Sequence, residues 1–109
     1  MPDANGRYIL NGEGDPELCP DLLTWARWME DRTVRRVAYD ELPGDVTVST
    51  VFLGLDHSFG HGPPILWETM IFGGPHDQYQ ERYMSRADAM EGHAKALTLA
   101  RAPEEGAKS

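Results

Sequence analysis

The stretch Val46 to Gly74, VTVSTVFLGLDHSFGHGPPILWETMIFGG, decides the fold. Val46, Val48, Thr50 and Phe52 alternate with Thr47, Ser49, Val51 and Leu53, the period-two pattern of a strand. The first set is expected to point inward. Further on both faces turn apolar, as where a strand runs under a covering helix. Ile65 to Phe72 gives a second strand, and Gly73-Gly74-Pro75 stops it. Between them, Asp56 to Pro64 is a long connection for a hairpin, and such loops are often functional.

Working outward, Thr33 to Glu41 reads as a half-exposed strand. Alternation puts Arg35, Val37 and Tyr39 on one face and Val34, Arg36 and Ala38 on the other. Leu42-Pro43-Gly44-Asp45 is a turn signal, because proline presets φ and glycine accepts a positive φ. Strands 33–41 and 46–55 are therefore expected to form an antiparallel hairpin. Upstream, a helix is expected from Pro20 or Asp21. Leu22, Trp25, Ala26 and Met29 form its inner stripe, with Trp28 at the margin. Tyr8-Ile9-Leu10 reads as a brief edge strand or an anchor for the N-terminus. Downstream, Tyr79 to Tyr83 suits a short fourth strand. Ser85 has the form of an N-cap with Asp88 three residues on. It opens a helix to about Arg101 whose inner face is expected to carry Ala87, Met90, Ala94 and Leu97. The sum is an α+β fold: an antiparallel sheet of three to four strands with two helices packed on one face. A single domain is expected over residues 1–109, folded over about 7–101, with loose ends at Met1–Gly6 and Ala102–Ser109.

The formal charge is −8. Seven acids against Arg7 and Arg27 give −5 over residues 1–31; eleven acids against eight bases give −3 over the rest. A phosphate backbone is bound by neutralising it with Lys and Arg, so direct nucleic-acid binding is not expected. The order helix, strands, helix is also that of double-stranded-RNA-binding domains. Here the last helix offers only Arg86, Lys95 and Arg101, offset by Asp88 and Glu91, and lacks the lysine cluster that phosphate and 2′-OH contacts need. The acidity suits solubility, a basic partner, or imitation of nucleic acid. Cys19 is the sole cysteine, which excludes an intramolecular disulfide and suits a reducing compartment. No signal-peptide succession opens the chain, and no apolar run approaches a membrane span.

Chemistry-bearing residues concentrate in the loop. His57 and His61 flank Ser58-Phe59-Gly60, with Asp56 beside them. Imidazole and carboxylate can hold a divalent metal. Gly60, Gly62 and Pro63-Pro64 argue against the helix that would make a four-residue His spacing meaningful, so no metal site is assigned. Glu68 is the odd residue of its strand, sharing a face with Leu66, Met70 and Phe72. A carboxylate placed so needs a partner, and Arg36, Arg82, Ser49 and Thr50 are the candidates. Ser58 beside His57 makes no nucleophile elbow, and the glycines make no phosphate-cradling loop. The binding residues assigned are Asp56, His57, Phe59, His61 and Glu68. No catalytic set and no cofactor are assigned.

The run VSTVFLGLDHSFGHGPPILWETMIFGG, with DLLTWARWME upstream and Glu81-Arg82-Tyr83 and Gly92-His93 downstream, resembles a family of small uncharacterised proteins of tailed bacteriophages and prophages. Together these segments cover most of the expected folded part. The resemblance implies a phage origin and a cytoplasmic setting in the infected or lysogenic bacterium. It implies no activity and carries over no functional residue. The expected function is that of an acidic accessory protein that binds a bacterial or phage protein, countering host defence or mimicking nucleic acid. The alternatives are a small metal- or nucleotide-dependent enzyme using His57, His61 and Glu68, and a virion or assembly component. An exposed strand edge could also pair two copies.

Overall fold

Four strands form one antiparallel meander, each hydrogen-bonded to the next in chain order. The computed structural model describes residues 6–58 and 61–101. The two ends expected to be loose lie almost wholly outside them. β1 (Tyr8–Leu10) and β2 (Pro16–Leu18) make a small hairpin. α1 (Leu22–Met29) and the one-turn α2 (Arg32–Arg35) follow. β3 (Arg36–Leu42), β4 (Val46–Phe52), β5 (Trp67–Phe72) and β6 (Gln80–Tyr83) form the sheet in the order β3-β4-β5-β6. α3 (Arg86–Arg101) crosses its inner face and touches all four strands. The fold is α+β, as the sequence predicts, with β2 as an additional strand. No described helix is long and apolar enough to cross a membrane.

Local chemistry sets the boundaries. The Asp21 carboxylate caps α1 by accepting from Thr24 N at 2.9 Å. Asp31 caps α2, accepting from Thr33 N at 3.0 Å and Thr33 Oγ1 at 2.5 Å. That cap winds residues 32–35 into a turn, so the strand expected from Thr33 begins at Arg36 instead. A register shift between Arg36 and Ala38 marks a β-bulge at Val37. Its extra residue changes the parity of the strand. Val37 packs on the core, while the Arg36 guanidinium lies 4.2 Å over the Tyr39 ring. Strict alternation would have put Arg36 and Tyr39 on opposite faces, as the sequence reading did. At the other end, Leu42 pairs with Val46, which leaves Pro43-Gly44-Asp45 as a three-residue hairpin loop.

The core lies between the sheet and α3. Val48 and Ile71 are fully buried beneath Ala96, and Phe52 and Trp67 pack with Leu66 and Ala89. Trp28 stands edge-on to Phe52 with centroids 5.7 Å apart, and Phe52 meets Trp67 at 5.5 Å. Such aromatic pairs add about 0.5–1.5 kcal/mol each beyond burial. Trp28 is thus a core contact of α1, not its margin, while Leu22 is exposed. The helix expected to bury Ala87, Met90, Ala94 and Leu97 instead presents Ala89, Gly92, His93 and Ala96 to the sheet. Met90, Ala87 and Ala94 are exposed, and only Leu97 of the expected stripe reaches the core. The small residues let α3 approach closely. A Cβ on Gly92 would overlap the Tyr83 hydroxyl.

Gly54 joins the N-terminal elements to the sheet. Its carbonyl accepts from Tyr8 N at 2.8 Å and from Trp25 Nε1 at 2.9 Å. Its φ of +76° and the Met29 sulfur against its Cα leave no room for a side chain.

Candidate functional site

The loop residues brace one another. Asp56 Oδ1 accepts from Ser58 N at 2.7 Å and from Ile65 N at 2.9 Å, and Oδ2 accepts from Ser58 Oγ at 2.9 Å. Burial pushes this carboxyl up, but the two backbone bonds and the Ser58 hydroxyl outweigh it and hold its pKa below 3.8. Asp56 therefore ties the start of the loop to its end. His57 Nδ1 bonds the Leu55 carbonyl at 2.8 Å. His61 is exposed, its N–H bonded to the Ser58 carbonyl at 3.0 Å. Phe59 lies outside the described residues. Glu68 takes no part in the loop: its Oε2 accepts from Gln80 Nε2 and, at 3.0 Å, from Arg82 Nε across β5 and β6. Arg82 is among the expected partners; Arg36 instead stacks on Tyr39, and Thr50 bonds Thr69 and His93. No group of three His, Cys, Asp or Glu among the described residues is placed to hold a metal.

A second polar cluster, unassigned from sequence, lies between the sheet and α3. His93 Nε2 lies 2.8 Å from Asp40 Oδ2, and Nδ1 lies 2.7 Å from Thr50 Oγ1. Thr50 Oγ1 meets Thr69 Oγ1 at 2.5 Å. β3, α3, β4 and β5 each contribute one residue. The Asp40 carboxylate accepts from Nε2, and the two hydroxyls, each able to donate and accept, continue the chain from Nδ1. Every group in the chain is satisfied.

Acid, imidazole and hydroxyl in that order are the parts of an activated nucleophile. Here the hydroxyl cannot be reached: Thr50 and Thr69 are 0% exposed and His93 is 5% exposed. Only Asp40 meets solvent. The relay holds α3 in register on the sheet and offers no attacking group to a substrate. Tyr83 lies beside it, its Oη buried without a hydrogen-bond partner among the described residues. Burial raises its pKa above 10.0, an effect that the nearby Thr69 hydroxyl reduces without completing a bond.

The sequence does carry a trace of this cluster. Thr50 stands at the same parity as Val48 and Phe52, and Thr69 at that of Trp67 and Ile71, so each is a hydroxyl within an apolar face.

The outer face of the sheet is different in kind. α3 and the aromatic core occupy the inner face, and no helix among the described residues lies over the outer one. There Tyr39, Val51, Met70 and Phe72 are interspersed with Thr47 and Ser49, between Glu41 and the Glu68–Gln80–Arg82 cluster. Tyr39 is 39% exposed and Phe72 43%. An α+β protein with a sealed polar core and one bare sheet face is the class the fold and site define. No protein-family model matches the chain, no curated protein matches it in sequence, and no solved structure matches its fold.

Proposed function

We propose that this chain is a binding protein, not an enzyme: a small acidic accessory protein, of phage type by resemblance, that docks a bacterial or phage protein onto the outer face of its sheet. The observation that carries the reading is the outer face of the sheet, where Tyr39, Val51, Met70 and Phe72 stand with no described helix over them. Aromatic side chains and Met are enriched at interface centres, and polar groups form the rim. An apolar patch rimmed by polar residues marks an interaction site in a soluble protein. The formal charge of −8 favours a partner with a basic surface, since complementary charge speeds encounter and suppresses wrong partners. The inaccessible Thr50 hydroxyl supports binding over catalysis.

A photo-crosslinking residue at Phe72 or Tyr39, in protein expressed in a bacterial host, tests this. The expected result is one stoichiometric adduct from both positions and none from Glu91 on the exposed side of α3. The purified partner should then bind the wild-type chain, lose affinity at raised salt, and fail to bind Tyr39→Asp. Equal adducts from Glu91, or none from the outer face, would overturn the proposal.

A further inference from the structure

β6 is one edge of the sheet, with no strand beyond it among the described residues. The Tyr79 and Tyr83 carbonyls accept from the Ile71 and Leu66 N–H groups, and Glu81 pairs with Thr69. Alternation therefore turns the backbone N–H and C=O groups of Gln80 and Arg82 away from β5, to the free edge. Such an edge is a template for a further strand. On its inner side an open groove of about 360 Å³ lies between β6 and α3. Tyr79, Glu81 and Tyr83 line it from the strand side, and Asp88, Glu91 and Lys95 from one flank of the helix. The three carboxylates are exposed. Among the described residues no cation pairs with them: the salt bridges join Arg82 to Glu68 and His93 to Asp40. Arg82 is thus committed to the outer face, which leaves Lys95 as the one base against three acids. Asp88 suits the first turn of α3, where the helix dipole favours an acid. Glu81 and Glu91 have no such reason to be there.

We infer that the β6 edge and this groove dock an extended basic segment of a partner protein, which adds to the sheet as a strand and lays an Arg or Lys side chain in the groove. Main-chain bonds to the edge give docking of this kind its affinity, and pockets for alternate side chains give its specificity. The apolar stem of the Arg or Lys lies against Tyr79 and Tyr83 while its charged head meets the carboxylates. A second copy of this chain is the wrong occupant. It would bring its own Glu81, Asp88 and Glu91 to the same edge, in a chain of formal charge −8, and like charges across paired strands are destabilising. Docking here does not depend on a partner at the outer face. An uncharged crosslinking residue at Glu91 removes one of the three carboxylates and weakens this docking, which keeps that position a control for the outer face.

The probe is the peptide acetyl-Val-Arg-Val-Arg-Val-amide, read on the Gln80 and Arg82 backbone N–H resonances of ¹⁵N-labelled protein. It should shift both saturably, and the same peptide with Glu in place of Arg should not. Two further peptides carry N-methyl groups on either the valine or the arginine amides. Only one alternate set of amides faces β6, so one methylated peptide should bind about tenfold more weakly or worse, and the other should bind as the parent does. Glu81→Lys and Glu91→Lys, both at exposed positions, should each weaken the arginine peptide about tenfold. Tyr39→Asp should bind it as the wild type does. No saturable shift, equal binding of the Glu peptide, equal binding of the two methylated peptides, or unchanged affinity in both charge reversals would each overturn the inference. Loss of the peptide in Tyr39→Asp would place it on the outer face and overturn the inference as well.

Discussion

Gly92→Ala tests whether α3 sits where its small residues place it. A Cβ there would overlap Tyr83 Oη and Cζ and lie 2.5 Å from Cε1, where relaxed carbon contacts need about 3.5–4.0 Å. Either α3 retreats by about 1 Å, or the Tyr83 ring leaves its place against Phe52, Leu66, Trp67 and Ala89. Overpacking of this kind costs about 1–3 kcal/mol, and a clash along a whole ring edge belongs at the upper end. Alanine in a helix interior gains about 1 kcal/mol over glycine. The net expectation is a loss of about 2 kcal/mol. In a Tyr83→Leu background the ring is gone and only the helix gain remains, so the same substitution should be neutral or stabilising by up to about 1 kcal/mol. Urea unfolding of the four proteins, followed by circular dichroism, measures the cycle. The expected coupling is about 3 kcal/mol. An equal loss from Gly92→Ala in both backgrounds would refute the packing argument.

Three further outcomes follow from the cited contacts. Asp56→Ala should destabilise by about 2–3 kcal/mol, with Asp56→Asn costing less because one acceptor oxygen survives; urea midpoints rank them. The wild-type Asp56 contribution is present above pH about 3.8 and lost as pH falls through the depressed folded pKa, so the gap to Asp56→Asn should close in acid. His93→Phe keeps the ring volume and the Thr50–Thr69 pair but loses the bonds to Asp40 and Thr50, costing about 2 kcal/mol by thermal or urea unfolding. Tyr83 should ionise last of the four tyrosines in a tyrosinate absorbance titration. Its folded pKa is raised, so its contribution to stability is intact below 10.0 and lost as pH rises through the folded value.

The sheet was legible in the sequence because its signals are local. Period-two alternation from Val46, the Pro43-Gly44 turn and the Gly73-Gly74-Pro75 stop each act over a few residues, and β4, the β3–β4 turn and the end of β5 fall where those signals put them. The start of β3 was not, because one carboxylate, Asp31, captures Thr33 and turns the backbone before the strand can begin. Nor was the inner face of α3. Helical periodicity favours the larger apolar residues Met90 and Leu97. In the folded chain the contact is made by residues small enough to admit the Tyr83 ring, and that is a tertiary preference. The candidate site was the least legible part. Asp40, Thr50, Thr69 and His93 are spread over 54 positions of sequence, His93 to Asp40 being the 53-residue span, and no short motif links them. The loop residues Asp56, His57 and His61 attracted attention by their chemistry, yet the Asp56 carboxylate is wholly occupied with closing the loop.

The bulge at Val37 connects these observations. Without its extra residue, Arg36 would turn inward toward the apolar cluster of Phe52, Leu66 and Trp67, and a buried unpaired guanidinium is among the costliest groups a core can hold. With it, Val37 joins that cluster and Arg36 moves out to stack on Tyr39. Beyond the bulge, the register set by the Leu42–Val46 pair puts Asp40 opposite Val48 on the inner face, within reach of His93. The hairpin turn thus puts Asp40 in the sealed relay and Tyr39 on the outer face, and one inserted residue at the start of the strand brings Arg36 out beside that ring. The polar residues that resemble catalytic parts fix the position of α3, and the outer face that this arrangement leaves is where we propose that a partner docks.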